Sequence, residues 1–167
     1  MINFKDKIVV DYGIGGGHIG KFLLQHRGIK QYIGIDIAQR SLDRAATVLK
    51  ECKKFHLFLT PVDFSKFHAD VFLSTACMQH FPNQEYLDNF LARLNCSGIK
   101  VLALQFRYNP KTIFKPSYNG NIYPCPDFAC VTNIKYLSSL LPNYKIRYES
   151  DCNNPAKYQY TIWDMIA

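Results

Sequence analysis

Residues 11 to 20 read Asp-Tyr-Gly-Ile-Gly-Gly-Gly-His-Ile-Gly, five glycines in ten positions, and they follow the apolar run Ile8-Val9-Val10. A turn so poor in side chains brings its backbone close to something. Lacking Cβ atoms, Gly13, Gly15 and Gly17 can adopt positive φ, and a helix that starts after them directs its unpaired N–H groups at whatever lies there. The spacing from His18 to His26 predicts that helix, with Ile19, Phe22 and Leu23 on its inner face and Gly28 as its stop.

The same strand, turn and helix order recurs down the chain. Tyr32 to Ile37 reads as a second strand, and Gln39 to Cys52 as a helix that Ser41 helps to start, with Leu42, Ala45, Ala46 and Leu49 as its buried stripe. His56 to Thr60 reads as a third strand and Asp70 to Ser74 as a fourth. In the helix over Gln84 to Leu94, Leu87, Phe90, Leu91 and Leu94 fall on one face, and Lys100 to Phe106 makes a fifth strand. Short, almost wholly apolar strands separated by amphipathic helices specify a doubly wound, mostly parallel α/β sheet covered on both faces. Residues 133 to 141 read as a further helix. Lys145 to Glu149 and Tyr158 to Trp163 are joined by a connection too short for a crossover, which makes an antiparallel pair if they meet. A single domain over 1–167 fits the length.

Between these parts, residues 107 to 131 hold four prolines and no clear period, which marks a substrate loop rather than a plain connection. The chain has 20 Lys and Arg against 13 Asp and Glu, a net charge of +7, which favours anionic partners. Its six cysteines have no CxxC spacing and imply no metal site. No secretory leader pattern and no apolar run long enough for a membrane span occurs, so the expected location is cytoplasmic.

Two ligands suit the glycine turn. Gly15 to Gly20 satisfies G-x-G-x-x-G with Asp36 about twenty residues on, the pattern of a nicotinamide-dinucleotide site. In that pattern the glycines follow the strand directly, whereas here Asp11 and Tyr12 intervene and the register reads Asp11-x-Gly13-x-Gly15-x-Gly17.

In that register, residues 8 to 17 resemble the first motif of class I S-adenosylmethionine-dependent methyltransferases. Tyr32 to Ile37, Pro61-Val62-Asp63-Phe64, and Asp70 to Ser74 with Gln79-His80-Phe81-Pro82 are similar to the family's second strand, its adenine-contacting segment, and its fourth strand with the loop beyond. The resemblance covers residues 8 to about 106 and implies a seven-stranded sheet with an antiparallel C-terminal pair. The cofactor it implies is S-adenosylmethionine. Gly13, Gly15 and Gly17 would let its methionine and ribose portions approach the backbone, and Asp11 would orient the turn or bind its amino group. Asp36, with Ile37 beside it, would accept the ribose hydroxyls, for which a carboxyl group has two acceptor oxygens. Asp63 would accept from the adenine amino group, Phe64 would supply an apolar wall or a backbone N–H, and Thr75 would lie near the sulfonium.

The same resemblance puts the methyl acceptor near Gln79 and His80, with His80 either a general base or a scaffold residue. Arg107, Tyr108, Tyr118 and Tyr123 would overhang the cleft. Methyltransferases acting on base amines typically carry Asn/Asp-Pro-Pro-aromatic after the fourth strand. Ala76-Cys77-Met78-Gln79-His80 stands here instead and points toward an O, N or C atom of a small, acidic molecule. The first strand begins by residue 8, without the helices that close over the cofactor in many small-molecule members. An open cleft of that kind, with the net charge, keeps an RNA or protein acceptor as the alternative.

Overall fold

The computed structural model describes residues 1–114, 130–151 and 158–166. Its elements in chain order are β1 (Ile8–Tyr12), α1 (His18–His26), β2 (Gln31–Asp36), α2 (Gln39–Leu49), β3 (Phe55–Leu59), a 3-10 turn (Phe64–Phe67) and β4 (Val71–Ser74). A second 3-10 turn (Met78–His80), α3 (Gln84–Asn95), β5 (Val101–Arg107), β6 (Ile113–Phe114), β7 (Cys130–Val131), α4 (Ile134–Leu140), β8 (Tyr144–Glu149) and β9 (Tyr158–Met165) follow. Seven strands form one sheet in the order β3-β2-β1-β4-β5-β9-β8, and β6 pairs antiparallel with β7. The β1–β2, β1–β4 and β2–β3 pairs are parallel, and β8–β9 is antiparallel with a register shift between Ile146 and Tyr148.

The chain gathers into two compact units, one of residues 1–74 and 97–103, the other of 75–96 and 104–167. The first is built on β1 to β4. Val9, Val10, Ile33, Ile35, Val71 and Phe72 leave almost no area to solvent, as strands covered on both faces require. In the second unit α3 and α4 both begin at asparagines, Asn83 and Asn133, whose side chains accept the N–H of Tyr86 and Tyr136. These bonds satisfy donors a helix start leaves unpaired.

The structure departs from the sequence reading in three places. On α1 the inner face runs through Gly20 and Leu23, while Ile19 and Phe22 are 40% and 48% exposed. The cause is Tyr32. Its ring lies so close over the helix that a Cβ on Gly20 would sit 2.6 Å from Tyr32 Cε1. Phe22 instead packs beside His26 and under the Arg27 guanidinium, 5.1 Å from the ring centre. On α2 the stripe is Leu42, Ala45 and Leu49; Ala46 is exposed, and Ala38 rather than Ser41 stands at the helix start. Within 107 to 131, the short β6–β7 pair interrupts what reads as irregular sequence. Tyr118 and Tyr123 lie outside the described residues.

Gly20 yields a prediction opposite in sign to helix propensity. In an exposed helix interior alanine is favoured over glycine by about 1 kcal/mol, but here the methyl group enters a packed aromatic ring. We expect Gly20→Ala to destabilise the protein by about 1–3 kcal/mol, the usual cost of overpacking. Thermal or urea unfolding measures this, and a variant at least as stable as the parent would show that the ring yields.

Candidate functional site

In the first unit the glycine turn connects β1 to α1. Gly13, Gly15 and Gly17 have φ of 82°, 50° and 75°, all left-handed, as the sequence requires. Gly17 combines this with close packing, since a Cβ there would meet Ala45 Cβ at 2.9 Å. Gly15 differs. No atom lies within 4 Å of where its Cβ would be, so the turn presents bare backbone to open space at that point. A groove of about 520 Å³ also borders the turn on the α2 side, lined by Gly16, His18, Arg44, Thr47 and Val48, none of them an expected cofactor residue.

Asp36 organises this turn from the end of β2. One carboxyl oxygen accepts the N–H of Gly15 at 3.0 Å and the other the N–H of Ala38 at 2.9 Å, while the backbone oxygen of Ile35 receives the N–H groups of Gly13 and Ile14. The helix start that the sequence assigns to Ser41 is thus held by Asp36. Each carboxyl oxygen keeps a second acceptor site beyond these bonds. Ile37, the next residue, is 71% exposed.

Asp11 is 2% exposed and accepts the Tyr32 hydroxyl at 2.8 Å. Burial pushes its pKa from 3.8 up to about 6, the Tyr32 hydrogen bond opposes the rise, and the nearby Asp36 adds to it. Tyr32 itself is pushed far above the ordinary tyrosine range by burial and by Asp11. The bond that Asp11 makes here is a third, internal one: it anchors the Tyr32 ring that Gly20 makes room for.

Asp63 is exposed and starts the Phe64–Phe67 turn, its Oδ1 accepting both the N–H and the hydroxyl of Ser65. The Phe64 ring is 1% exposed and packs edge-on against Tyr12 and Phe72. The side chain therefore belongs to the core, and of the two roles expected for Phe64 only the backbone one is compatible with this packing.

In the second unit, the segment after β4 carries Thr75, Gln79 and His80. Ala76 within it has φ of +51°, unusual for a residue with a Cβ, and its N–H donates to the Oε1 of buried Gln105 at 2.8 Å. Gln105 in turn donates to the Tyr160 hydroxyl. Sequence reasoning missed Gln105, although a lone amide within the apolar strand Val101–Arg107 was a signal for it. Gln79 is 3% exposed, and its Oε1 has no hydrogen-bond partner among the described residues. His80 is exposed as a residue, yet partial burial of its ring holds its pKa below the ordinary histidine value. The Arg107 guanidinium lies 5.4 Å from the Tyr158 ring centre, and Tyr108 bridges to Thr132. Among the described residues no cluster of three His, Cys, Asp or Glu could hold a metal, and no helix is long and apolar enough to cross a membrane.

The strand order, the antiparallel end of the sheet and the glycine turn after β1 define a Rossmann-like, class I methyltransferase fold. Residues 9–98 match the family model described as a methyltransferase domain, and the chain belongs to that family. The family's methyl donor is S-adenosylmethionine. No curated protein matches the chain in sequence. Among solved structures it is similar to the small RNA methyltransferase HEN1, at 17% identity and a TM-score of 0.72, over 98% of this chain but 23% of that one. It is also similar to the N-methyltransferase NodS from Bradyrhizobium japonicum bound to S-adenosyl-L-homocysteine, at 12% identity and 0.71, over 96% of this chain and 78% of that one. An S-adenosylmethionine-dependent methyltransferase from Clostridium acetobutylicum gives 11% identity and 0.69, over 96% and 84%. At such identities the likeness is one of fold.

The raised pKa of Asp11 fixes a pH dependence. Because the folded state holds this proton more tightly than the unfolded chain, Asp11 contributes most to stability at low pH. The contribution is lost as pH rises from about 4 through 6 and changes little above. A shift of this size corresponds to roughly 3 kcal/mol. Asp11→Asn keeps an acceptor for the Tyr32 hydroxyl without the charge. Its stability relative to the parent should rise between pH 4 and 7, as measured by denaturant unfolding at each pH; a constant difference would mean that Asp11 titrates normally.

Proposed function

We propose that the chain transfers the sulfonium methyl of S-adenosylmethionine to an O, N or C atom of a small acceptor, with an N–H or O–H donor on the acceptor side. The observation that carries the cofactor part of this reading is the Gly15 turn, open where its Cβ would lie, gripped by Asp36 and followed by the exposed Ile37. The residues that would hold the cofactor are Asp36 for the ribose hydroxyls, Gly13, Gly15 and Gly17 for close backbone approach, Ile37 and the Phe64 backbone for the adenine surroundings, and Thr75. Asp11 would bind the amino group, the turn itself being held by Asp36 and the Ile35 carbonyl. When bound, the cofactor supplies a methyl on a cationic sulfur, a good leaving group, so the protein's main task is alignment.

Two features of the segment after β4 support the acceptor part. The buried Gln79 carbonyl lacks a donor among the described residues, a costly arrangement that an incoming N–H or O–H would relieve. An imidazole at His80 held below the usual range is neutral at pH 7 and can take up a proton as the methyl is received. Arg107 and Tyr108 are the described residues proposed to meet the rest of the acceptor. An RNA or protein acceptor is the second reading, which the net charge of +7 supports. A nicotinamide dinucleotide is the competing ligand for the turn, which the Asp11-x-Gly13-x-Gly15-x-Gly17 register disfavours.

Titration calorimetry with S-adenosylhomocysteine tests the cofactor reading. Ile37 is too exposed to support the core, so Ile37→Ala should change stability by less than about 0.5 kcal/mol while weakening S-adenosylhomocysteine binding severalfold. Asp36→Asn, which keeps one acceptor oxygen, should lose about tenfold or more, the worth of a hydrogen bond to a charged group. Binding of NAD in place of S-adenosylhomocysteine, or unchanged affinity in both variants, would overturn the assignment.

A further inference from the structure

The positive charge of the chain is not spread evenly over the first unit. Each of the strands β1 to β5 begins directly after a charged residue: Lys54 before β3, Lys30 before β2, Lys7 before β1, Asp70 before β4 and Lys100 before β5. Because the strands lie in the order β3-β2-β1-β4-β5, these residues form a row along the sheet's amino-terminal end. At about 4.8 Å per strand the row spans about 19 Å.

The single acid in the row is already neutralised. Asp70 lies 3.7 Å from Lys7 and 3.4 Å from Lys100 and also accepts the N–H of Ile8. Desolvation would raise its pKa, but these bonds and charges together lower it. Lys100 nevertheless keeps 69% of its side chain exposed. Lys30 and Lys54 are exposed, and with Lys53 they line a groove of about 460 Å³ whose acids are Asp6 and Glu51. The face lies beyond the opposite end of β1 from the glycine turn, about 17 Å away along five residues. Charge gathered there does not serve the glycine turn.

We propose that this row is a docking surface for the phosphodiester backbone of RNA, separate from the methyl-transfer site. Cations in line, a few ångströms apart, suit a polyanion whose phosphates repeat at comparable spacing, and such contacts read backbone rather than sequence. An acidic membrane surface is the competing partner of the same charge, but interfacial binding draws on inserted apolar groups as well. Among the described residues, none of the exposed large apolar side chains adjoins a member of the row in the chain. The proposal does not depend on which atom receives the methyl group.

Fluorescence anisotropy with a labelled RNA duplex tests it. The parent protein should bind at low salt with log Kd linear in log salt. The double variant Lys30→Gln/Lys54→Gln should weaken binding at least tenfold at low salt and reduce the slope by about 2, close to one for each phosphate left without its lysine. The double variant Lys111→Gln/Lys135→Gln removes the same charge beyond the other end of β5 and should leave both unchanged. Lys53→Gln alone serves as a milder test if the first variant loses its melting transition. S-adenosylhomocysteine affinity should stay constant throughout, so its loss would count against the fold of a variant or the cofactor assignment, not against the docking surface. No duplex binding at low salt, equal weakening by both double variants, or binding to phosphatidylserine vesicles but not to RNA would overturn the proposal.

Discussion

The interaction on which the first unit turns is the grip of the Asp36 carboxyl on two backbone N–H groups from opposite sides, Gly15 in the turn after β1 and Ala38 at the start of α2. A loop with three left-handed glycines has high conformational entropy when unfolded and few side chains of its own to hold it. Its shape must therefore be imposed from outside, and Asp36 does so together with the Ile35 carbonyl. One residue at the tip of β2 thereby sets the turn, sets the entry into α2 and places a carboxyl group beside the open edge at Gly15.

Behind that edge runs a second chain of cause, from Asp11 to Tyr32 to Gly20. The buried carboxyl fixes the phenol, the phenol fills the space over α1, and the helix can come close enough only where a side chain is missing. Both chains of cause run from β1 and β2 outward, so the glycine turn and its surroundings are built by neighbours in the sheet, which the β1–β2 register brings opposite each other.

Much of this was readable in the sequence because it depends on local pattern. The alternation of apolar runs and helical stripes located the seven strands of the main sheet and the four helices to within a few residues, though not the short β6–β7 pair, and the glycine spacing indicated the three left-handed positions. What was not readable depends on partners distant in the chain. Ile19 and Phe22 have the right spacing for an inner face, and only the Tyr32 ring, twelve or so residues on, explains why Gly20 takes that place. Ser41 has the chemistry of a helix start, but Asp36 does the work from outside the helix. Phe64 and Gln105 show the same limit: whether an aromatic ring lines a ligand or packs in the core, and what a lone buried amide holds, follow from tertiary packing with no sequence period.

Ala76 extends this to descent. An alanine in the left-handed region costs on the order of 1 kcal/mol relative to glycine, and the Gln105 side chain offsets that cost by securing the residue's N–H. The two positions are therefore not independent as the chain diverges. A lineage that exchanges Gln105 for an apolar residue loses the tether and is expected to place glycine at 76, so the pair should covary across relatives even though 29 residues separate them.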